Sequence, residues 1–325
     1  MAPSKRSALP LGAPTLLRPG LAIDGRYRLL HPIGKGGQAS VYAAFDTQAS
    51  KNVAIKVLLR HLKRNADATT RFAVELEAAQ SVRHEALVEV YGHGDHAGLP
   101  YITMELVEGT PLSEHLHEHG PLSPLHALQL AHQVAGGLAR LHEAGVVHRD
   151  VKPANLIIRI TTDGDLKAKV TDFGYARIAG RSHTAKGFIV GTASYMAPEQ
   201  VVGEAVDGRT DVYALGVTLY YAVTGEVPFV GRDHVQVMAH HVHTEAPAPS
   251  KISPETPPTL DRIVGKAMRK HPNARYQTMQ AMLEEVQMAL KVGLIRRRSE
   301  VMPATFTPQS ADGVLVSKAL ADELP

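Results

Sequence analysis

The sequence predicts an α+β chain of two lobes, strand-rich in its first third and helix-rich beyond. Three observations carry this reading. Short apolar runs separated by glycines crowd between residues 23 and 105. Past Gly109 the apolar spacing becomes that of amphipathic helices. The length, 325 residues, exceeds the size at which one hydrophobic core stops growing, which leaves room for a cleft between two lobes.

Residues 1–22 are rich in Pro and Ala without periodicity and read as a flexible extension. Strands are expected at 27–33, 40–46, 52–58, 87–93 and 100–105, with one helix near 68–83 between them. Ser123 as N-cap, Pro124 at the first helical position and Gly145 past the end bracket a helix over 124–144. The run DVYALGVTLYYAV at 211–223 is apolar on almost every face, so its helix belongs inside the larger lobe. Further helices fit 259–270 and 278–292. From Gly293 and the RRRSE run onward, a tail with little pattern is expected to 325. There are no internal repeats.

Composition excludes several classes. Hydrophobic residues at 44% and charged residues at 21% are ordinary globular usage. The net charge of +3 is mild and dispersed, so no nucleic-acid partner is implied. With no cysteine there is neither a disulfide framework nor a thiolate metal site, which suits a reducing compartment. No stretch approaches the roughly 20 apolar residues of a membrane helix, and prolines interrupt any signal-peptide core at the N-terminus. A cytoplasmic location is the default expectation.

Gly34, Gly36 and Gly37 in IGKGGQASVY (33–42) stand between two strand-like runs, where missing side chains let backbone N–H groups approach phosphates; a plain Gly-rich hairpin reads from them equally well. In VAIK (53–56) a period of two puts Ala54 and Lys56 on one strand face, a small residue beside a cation. On the helix at 68–83, Phe72, Leu76 and Ala79 define the inner face, and Glu75 lies about 60° from it. A carboxylate turned that way calls for a cation, and Lys56 is the candidate. HRDVKPAN (148–155) combines a carboxylate fit for general base work, a cation and a metal-binding amide within eight residues.

GKGGQASVY, VAIK, HRDVKPAN, DFG at 172–174 and APE at 197–199 occur in the order and spacing of the protein kinase family, and the chain resembles that family over roughly residues 27–290. VKPAN, GTASYMAPEQ, DVYALG and NARYQT resemble the bacterial branch of eukaryotic-like serine/threonine kinases. The resemblance implies the two-lobed protein-kinase fold: an N-lobe (23–104) with an antiparallel sheet and one helix, a hinge (105–109) and a mainly helical C-lobe (110–292).

It also implies roles. Asp150 would accept or orient the proton of a substrate hydroxyl while Lys152 steadies the transferring phosphoryl group; a lysine there resembles serine/threonine rather than tyrosine kinases. Asn155 and Asp172 would hold magnesium, or manganese in its place. Lys56 would contact the ATP phosphates, held by Glu75. Ile33, Gly34, Lys35, Gly36 and Gly37 would cover the nucleotide. Met104 resembles the gatekeeper, the Glu105 carbonyl and Val107 N–H would bond the adenine edge, and Val41, Ala54 and Ile157 would sandwich its faces. Thr192 resembles the residue that seats the hydroxyl substrate. Glu199 and Arg275 resemble a buried ion pair, and Asp211 an acid capping the catalytic-loop backbone.

Arg149 before Asp150 resembles kinases controlled by phosphorylation of the activation segment, with Thr184 as the expected site beside Arg177, Arg181 and Lys186. Partners are then ATP and proteins with Ser or Thr acceptors, with a homodimer for autophosphorylation. Ala39 departs from the family by replacing the third glycine of the loop. The chain also lacks the membrane span and sensor that many bacterial relatives carry after the kinase domain. A catalytically silent scaffold and a small-molecule phosphotransferase are the rival readings; the intact Lys56, Glu75, Asp150, Asn155 and Asp172 speak against the first, GTASYMAPEQ against the second. His115 with His119, and His240, His241 and His243, read as solvated helical histidines for want of completing acidic ligands. Arg296 to Ser299 reads as a solvated tail.

Overall fold

The computed structural model describes residues 17–35, 39–58, 80–172 and 193–301. Among the described residues, six strands form one antiparallel sheet in the order β1-β2-β3-β4-β6-β5. They are β1 (Ala22–Ile23), β2 (Tyr27–Lys35), β3 (Ala39–Asp46), β4 (Lys51–Leu58), β5 (Val90–His96) and β6 (Leu99–Glu105). Ile23, Leu29, Tyr42, Val53 and Ile55 fill the core of this N-lobe. The β3–β4 register pairs Val41 with Lys56 and Ala43 with Ala54, and Ala54 in turn faces Met104 on β6. Of the helix expected at 68–83, only Gln80 and Ser81 fall within the described residues as helix.

β5 begins three residues later than the expected 87–93. Leu87 and Val88 are diverted: Val88 N–H donates to the Val170 carbonyl at 2.9 Å, and Val170 N–H donates to the Ala86 carbonyl at 2.8 Å. Two apolar residues that read as sheet strand instead join the lobes.

The C-lobe opens with a small sheet of β7 (Thr110–Pro111), β8 (Leu156–Ile160) and β9 (Leu166–Val170). Its helices are α1 (Leu112–His119), α2 (Pro124–Glu143), α3 (Pro198–Val202), α4 (Gly208–Thr224), α5 (His234–His243), α6 (Pro258–Ala267) and α7 (Met279–Val301). Helix α2 starts as expected, the Ser123 hydroxyl accepting from His126 N–H, and ends with Gly145 in the left-handed region at φ 75°. Helix α4 is buried along nearly its whole length, as its uniform apolarity requires, and α2, α6 and α7 pack around it.

The tail expected from residue 293 is corrected in part, because α7 continues to Val301. A single interior glycine, Gly293, weakens a helix by about 1 kcal/mol without ending it, and the first proline beyond is Pro303. Leu294, Arg296, Arg297, Arg298 and Glu300 are good helix formers. Among the described residues no helix is long and apolar enough to cross a membrane.

Candidate active site

The loop His148–Asn155 runs between α2 and β8, and its backbone is anchored by side chains from far along the chain. Asp211, fully buried near the start of α4, accepts N–H bonds from His148 at 2.8 Å and Arg149 at 2.7 Å. Its Oδ2 also meets His142 Nε2 at 2.8 Å. Arg149 sits at φ 67°, a left-handed conformation that a non-glycine residue keeps only when its surroundings enforce it. His148 Nδ1 accepts the Asp150 N–H at 3.2 Å, which puts the imidazole proton on Nε2, where it is donated to the Thr171 carbonyl at 3.0 Å. One buried histidine thus ties the Asp150 backbone to the residue before Asp172.

Asp150, Lys152 and Asn155 converge. Lys152 Nζ lies 2.9 and 2.8 Å from the two carboxylate oxygens of Asp150. Asn155 Nδ2 donates to the Asp150 carbonyl at 2.8 Å and to its Oδ2 at 3.1 Å. Because the amide nitrogen is engaged there, the amide oxygen of Asn155 points the other way.

Asp172 follows β9, also left-handed at φ 64°. Lys56 Nζ is 2.6 Å from its Oδ1, so strand β4 of one lobe and the end of β9 of the other meet at an ion pair. Burial pushes the Asp172 carboxyl upward, but the Lys56 ammonium outweighs it and holds the group below the ordinary aspartate value. Glu75, expected to hold Lys56, lies outside the described residues.

Met104 is buried at the end of β6, packed in one cluster with Ala54, Val41 and Val107. Glu105 N–H donates to the Glu89 carbonyl at 2.8 Å, and Glu105 Oε2 accepts from Lys169 Nζ at 2.8 Å. Gly109 closes the crossing at φ 142°, and a Cβ there would stand 2.5 Å from the Ile158 carbonyl oxygen. Only glycine lets the chain lie against β8 so closely, and Ile157, half-buried on β8, lies beside it. Ile33 is exposed and Gly34 faces Val41 across the β2–β3 ladder. Lys35 is described as backbone of β2; Gly36, Gly37, Thr184, Arg177, Arg181, Lys186 and Thr192 lie outside the described residues.

The expected supporting pairs are present. Arg275 and Glu199 form a buried two-pronged bridge, and Asp211 caps the loop. Sequence reasoning missed His142, His148 and Lys169, and also Gln200. For Gln200 a signal existed: A-P-E-Q puts a glutamine three residues after the helix cap, where it reaches back to the cap's N–H. For His142 and Lys169 there was none, since their partners are 69 and 64 residues away. The histidines on α1 are stacked, His115 on His119 with centroids 4.7 Å apart, and among the described residues no three metal-ligating side chains gather. His241 departs from the solvated reading: it is fully buried and its Nδ1 meets the Tyr213 hydroxyl at 2.8 Å.

The family model described as protein kinase domain matches residues 27–286. The serine/threonine-protein kinase PknB of Mycolicibacterium smegmatis is 40% identical over 79% of this chain and 41% of its own length. The serine/threonine-protein kinase PrkC of Bacillus subtilis is 36% identical over 83% of this chain and 41% of its own. The chain therefore spans about two fifths of the length of these curated relatives. The crystal structure of the Mycobacterium tuberculosis PknI kinase domain superposes with a TM-score of 0.67 at 26% identity, covering 84% of this chain and 99% of that one.

Proposed function

Since the chain belongs to the protein kinase family, we propose that it transfers the γ-phosphoryl group of ATP to serine and threonine hydroxyls of proteins. The observation that carries this reading is the cradle of Asp150, Lys152 and Asn155, joined through His148 and Thr171 to the Asp172–Lys56 pair. These are the groups that phosphoryl transfer needs: a carboxylate to take or orient a hydroxyl proton, and cations to meet the developing charge. Asp150 is the base, with Lys152 beside it to steady the phosphoryl oxygens. Lys56 holds the α- and β-phosphates with Glu75 as its support.

The metal test is one of donor chemistry. The Asn155 amide oxygen, turned away from Asp150, and the Asp172 carboxylate are hard oxygen donors, a set suited to magnesium, with manganese as a substitute. Bound there, the ion neutralises phosphate charge. Adenine is held by the Glu105 carbonyl and Val107 N–H between Val41, Ala54 and Ile157, with Met104 behind it and Ile33, Gly34, Lys35, Gly36 and Gly37 above. Thr192 seats the acceptor hydroxyl. Arg149 and Thr184 supply control, phosphate on Thr184 pairing with the basic side chains of its segment, and two copies of the chain modify each other. The catalytic unit spans 23–292, with its hinge at 105–109, and works in the cytoplasm, which the cysteine-free composition suits.

An assay with labelled ATP and a generic protein substrate, comparing wild type with Asp150→Asn, tests the reading. Wild type labels protein, and the variant loses at least about 10²-fold. Label in neither favours a scaffold; label only on small molecules favours a different phosphotransferase. Thr184→Ala lowers activity on this reading; unchanged turnover, with no phosphate found at Thr184 by mass spectrometry, removes the proposed control.

A further inference from the structure

Gln200 is buried on α3, and both ends of its amide are used. Its Oε1 accepts the Ala197 N–H at 3.0 Å, capping the short helix. Its Nε2 donates to the Arg149 carbonyl at 3.0 Å. That carbonyl belongs to the peptide unit joining Arg149 to Asp150, whose N–H is held on its other side by His148 Nδ1 at 3.2 Å. The Arg149–Asp150 peptide is therefore gripped at both poles, by Gln200 and by His148. Arg149 itself, left-handed at φ 67°, is fixed at its N–H by Asp211 and at its carbonyl by Gln200. A strained residue persists only where its surroundings over-determine it, and here two helices, α3 and α4, supply one restraint each.

We propose that Gln200 is a positioning residue for Asp150: it carries the state of the first turn of α3 to the peptide that aims the catalytic carboxylate. When Ala197 N–H is in place, the amide is oriented with its NH2 toward Arg149. When that turn opens, the donor is released and the peptide loses one of its two fixed poles. The proposal rests on the assignment of Asp150 as the base.

Two substitutions test it in the full chain. Gln200→Met keeps length and removes both hydrogen bonds; Gln200→Glu keeps an acceptor for Ala197 N–H but turns a second acceptor toward the Arg149 carbonyl. In the Met variant kcat falls about tenfold, the rate equivalent of one lost buried hydrogen bond, while the KM for ATP stays within about twofold. In the Glu variant, which keeps the cap acceptor and loses only the donor, kcat falls by a similar factor while the KM for ATP again stays within about twofold, because an ionised carboxylate cannot donate to the Arg149 carbonyl. If the Met variant does not fold, the kcat and KM of the Glu variant relative to wild type decide alone. Equal kcat in wild type and both variants overturns the proposal. So does a parallel loss of kcat, ATP affinity and melting temperature, which is what loss of a helix cap alone produces. Wild type and Asp150→Asn run beside them: if those two already agree, the base assignment fails, and the coupling falls with it for that separate reason.

Discussion

Glu199 and Arg275 stand 76 residues apart in sequence and meet in two parallel hydrogen bonds of 2.8 Å, with the guanidinium side chain fully buried. Thr210 Oγ1 adds a third donor to Glu199 at 2.8 Å, while Arg275 spends its remaining N–H groups on the carbonyls of Arg209, Arg269 and Lys270. Burial works to raise the Glu199 carboxyl, and the guanidinium overcomes it, so the group titrates below the usual glutamate range. The pair fastens the start of α3 to the loop before α7.

Breaking this pair from one side leaves a buried charge without its counter-ion. Arg275→Met is expected to lower unfolding free energy by about 3–5 kcal/mol, seen as an earlier midpoint in urea. The double variant Glu199→Leu, Arg275→Met regains part of that loss and not all, since three carbonyls still lack their donor. An unchanged midpoint in the single variant would show that the bridge contributes nothing.

Asp211→Asn tests the anchoring of the loop 148–155. The carboxylate accepts on both oxygens, and an amide can accept on one only, so one of the His148 or Arg149 N–H groups loses its partner. A buried unpaired donor costs about 1–3 kcal/mol, and kcat is expected to fall about ten- to a hundredfold with a smaller change in the KM for ATP. Steady-state kinetics that leave kcat untouched would argue that the loop holds its shape without this cap.

Gly109→Ala places a methyl group 2.5 Å from a backbone oxygen and forces an alanine into a region that side chains avoid. The expected cost is about 2–3 kcal/mol, read as a fall in melting temperature. If the melting curve does not move, the chain at 109 shifts freely off β8.

His241 makes stability depend on pH. Burial, assisted by the Lys270 ammonium, pushes its imidazole down to about 3 from an ordinary value of 6.5. Below pH 6.5 the unfolded chain binds a proton that the folded chain refuses, so the stabilisation is complete above 6.5 and is lost as pH falls toward 3. At pH 5 the loss is about 2 kcal/mol. His241→Gln removes the titration, so the stability gap between wild type and variant should shrink by about that amount between pH 7 and pH 5. A gap that is the same at both pH values would rule this out.

Much of the site was legible because its chemistry is packed into short strings. HRDVKPAN reads as a unit, since Asp150, Lys152 and Asn155 lie within one turn of chain and contact each other directly. VAIK gave Lys56 its face because strand alternation is local. What anchors these groups is not local. The role of His142 exists only once α4 brings Asp211 beside it, and Lys169 is an ordinary strand lysine until the hinge supplies Glu105. The β5 boundary failed for the same reason: Leu87 and Val88 have the composition of sheet strand, and only the presence of Val170 across the lobe boundary decides where their hydrogen bonds go. Helices α1 and α5 received no bounds because each buries little: Leu112 and Leu116 on α1, His241 on α5.

The ladder between Ala86–Val88 and Val170 has a further meaning for how the molecule could be taken apart. A cut at the Ala97–Gly98 turn would divide the N-lobe sheet in sequence, yet the piece ending at 97 keeps its grip on β9, and the piece beginning at 98 carries β6 with the hinge. Each half then holds the other by backbone pairing on two fronts. Such a nicked molecule should migrate as one particle until denaturant is added, and the cleft between its lobes should outlast the integrity of the chain that built it.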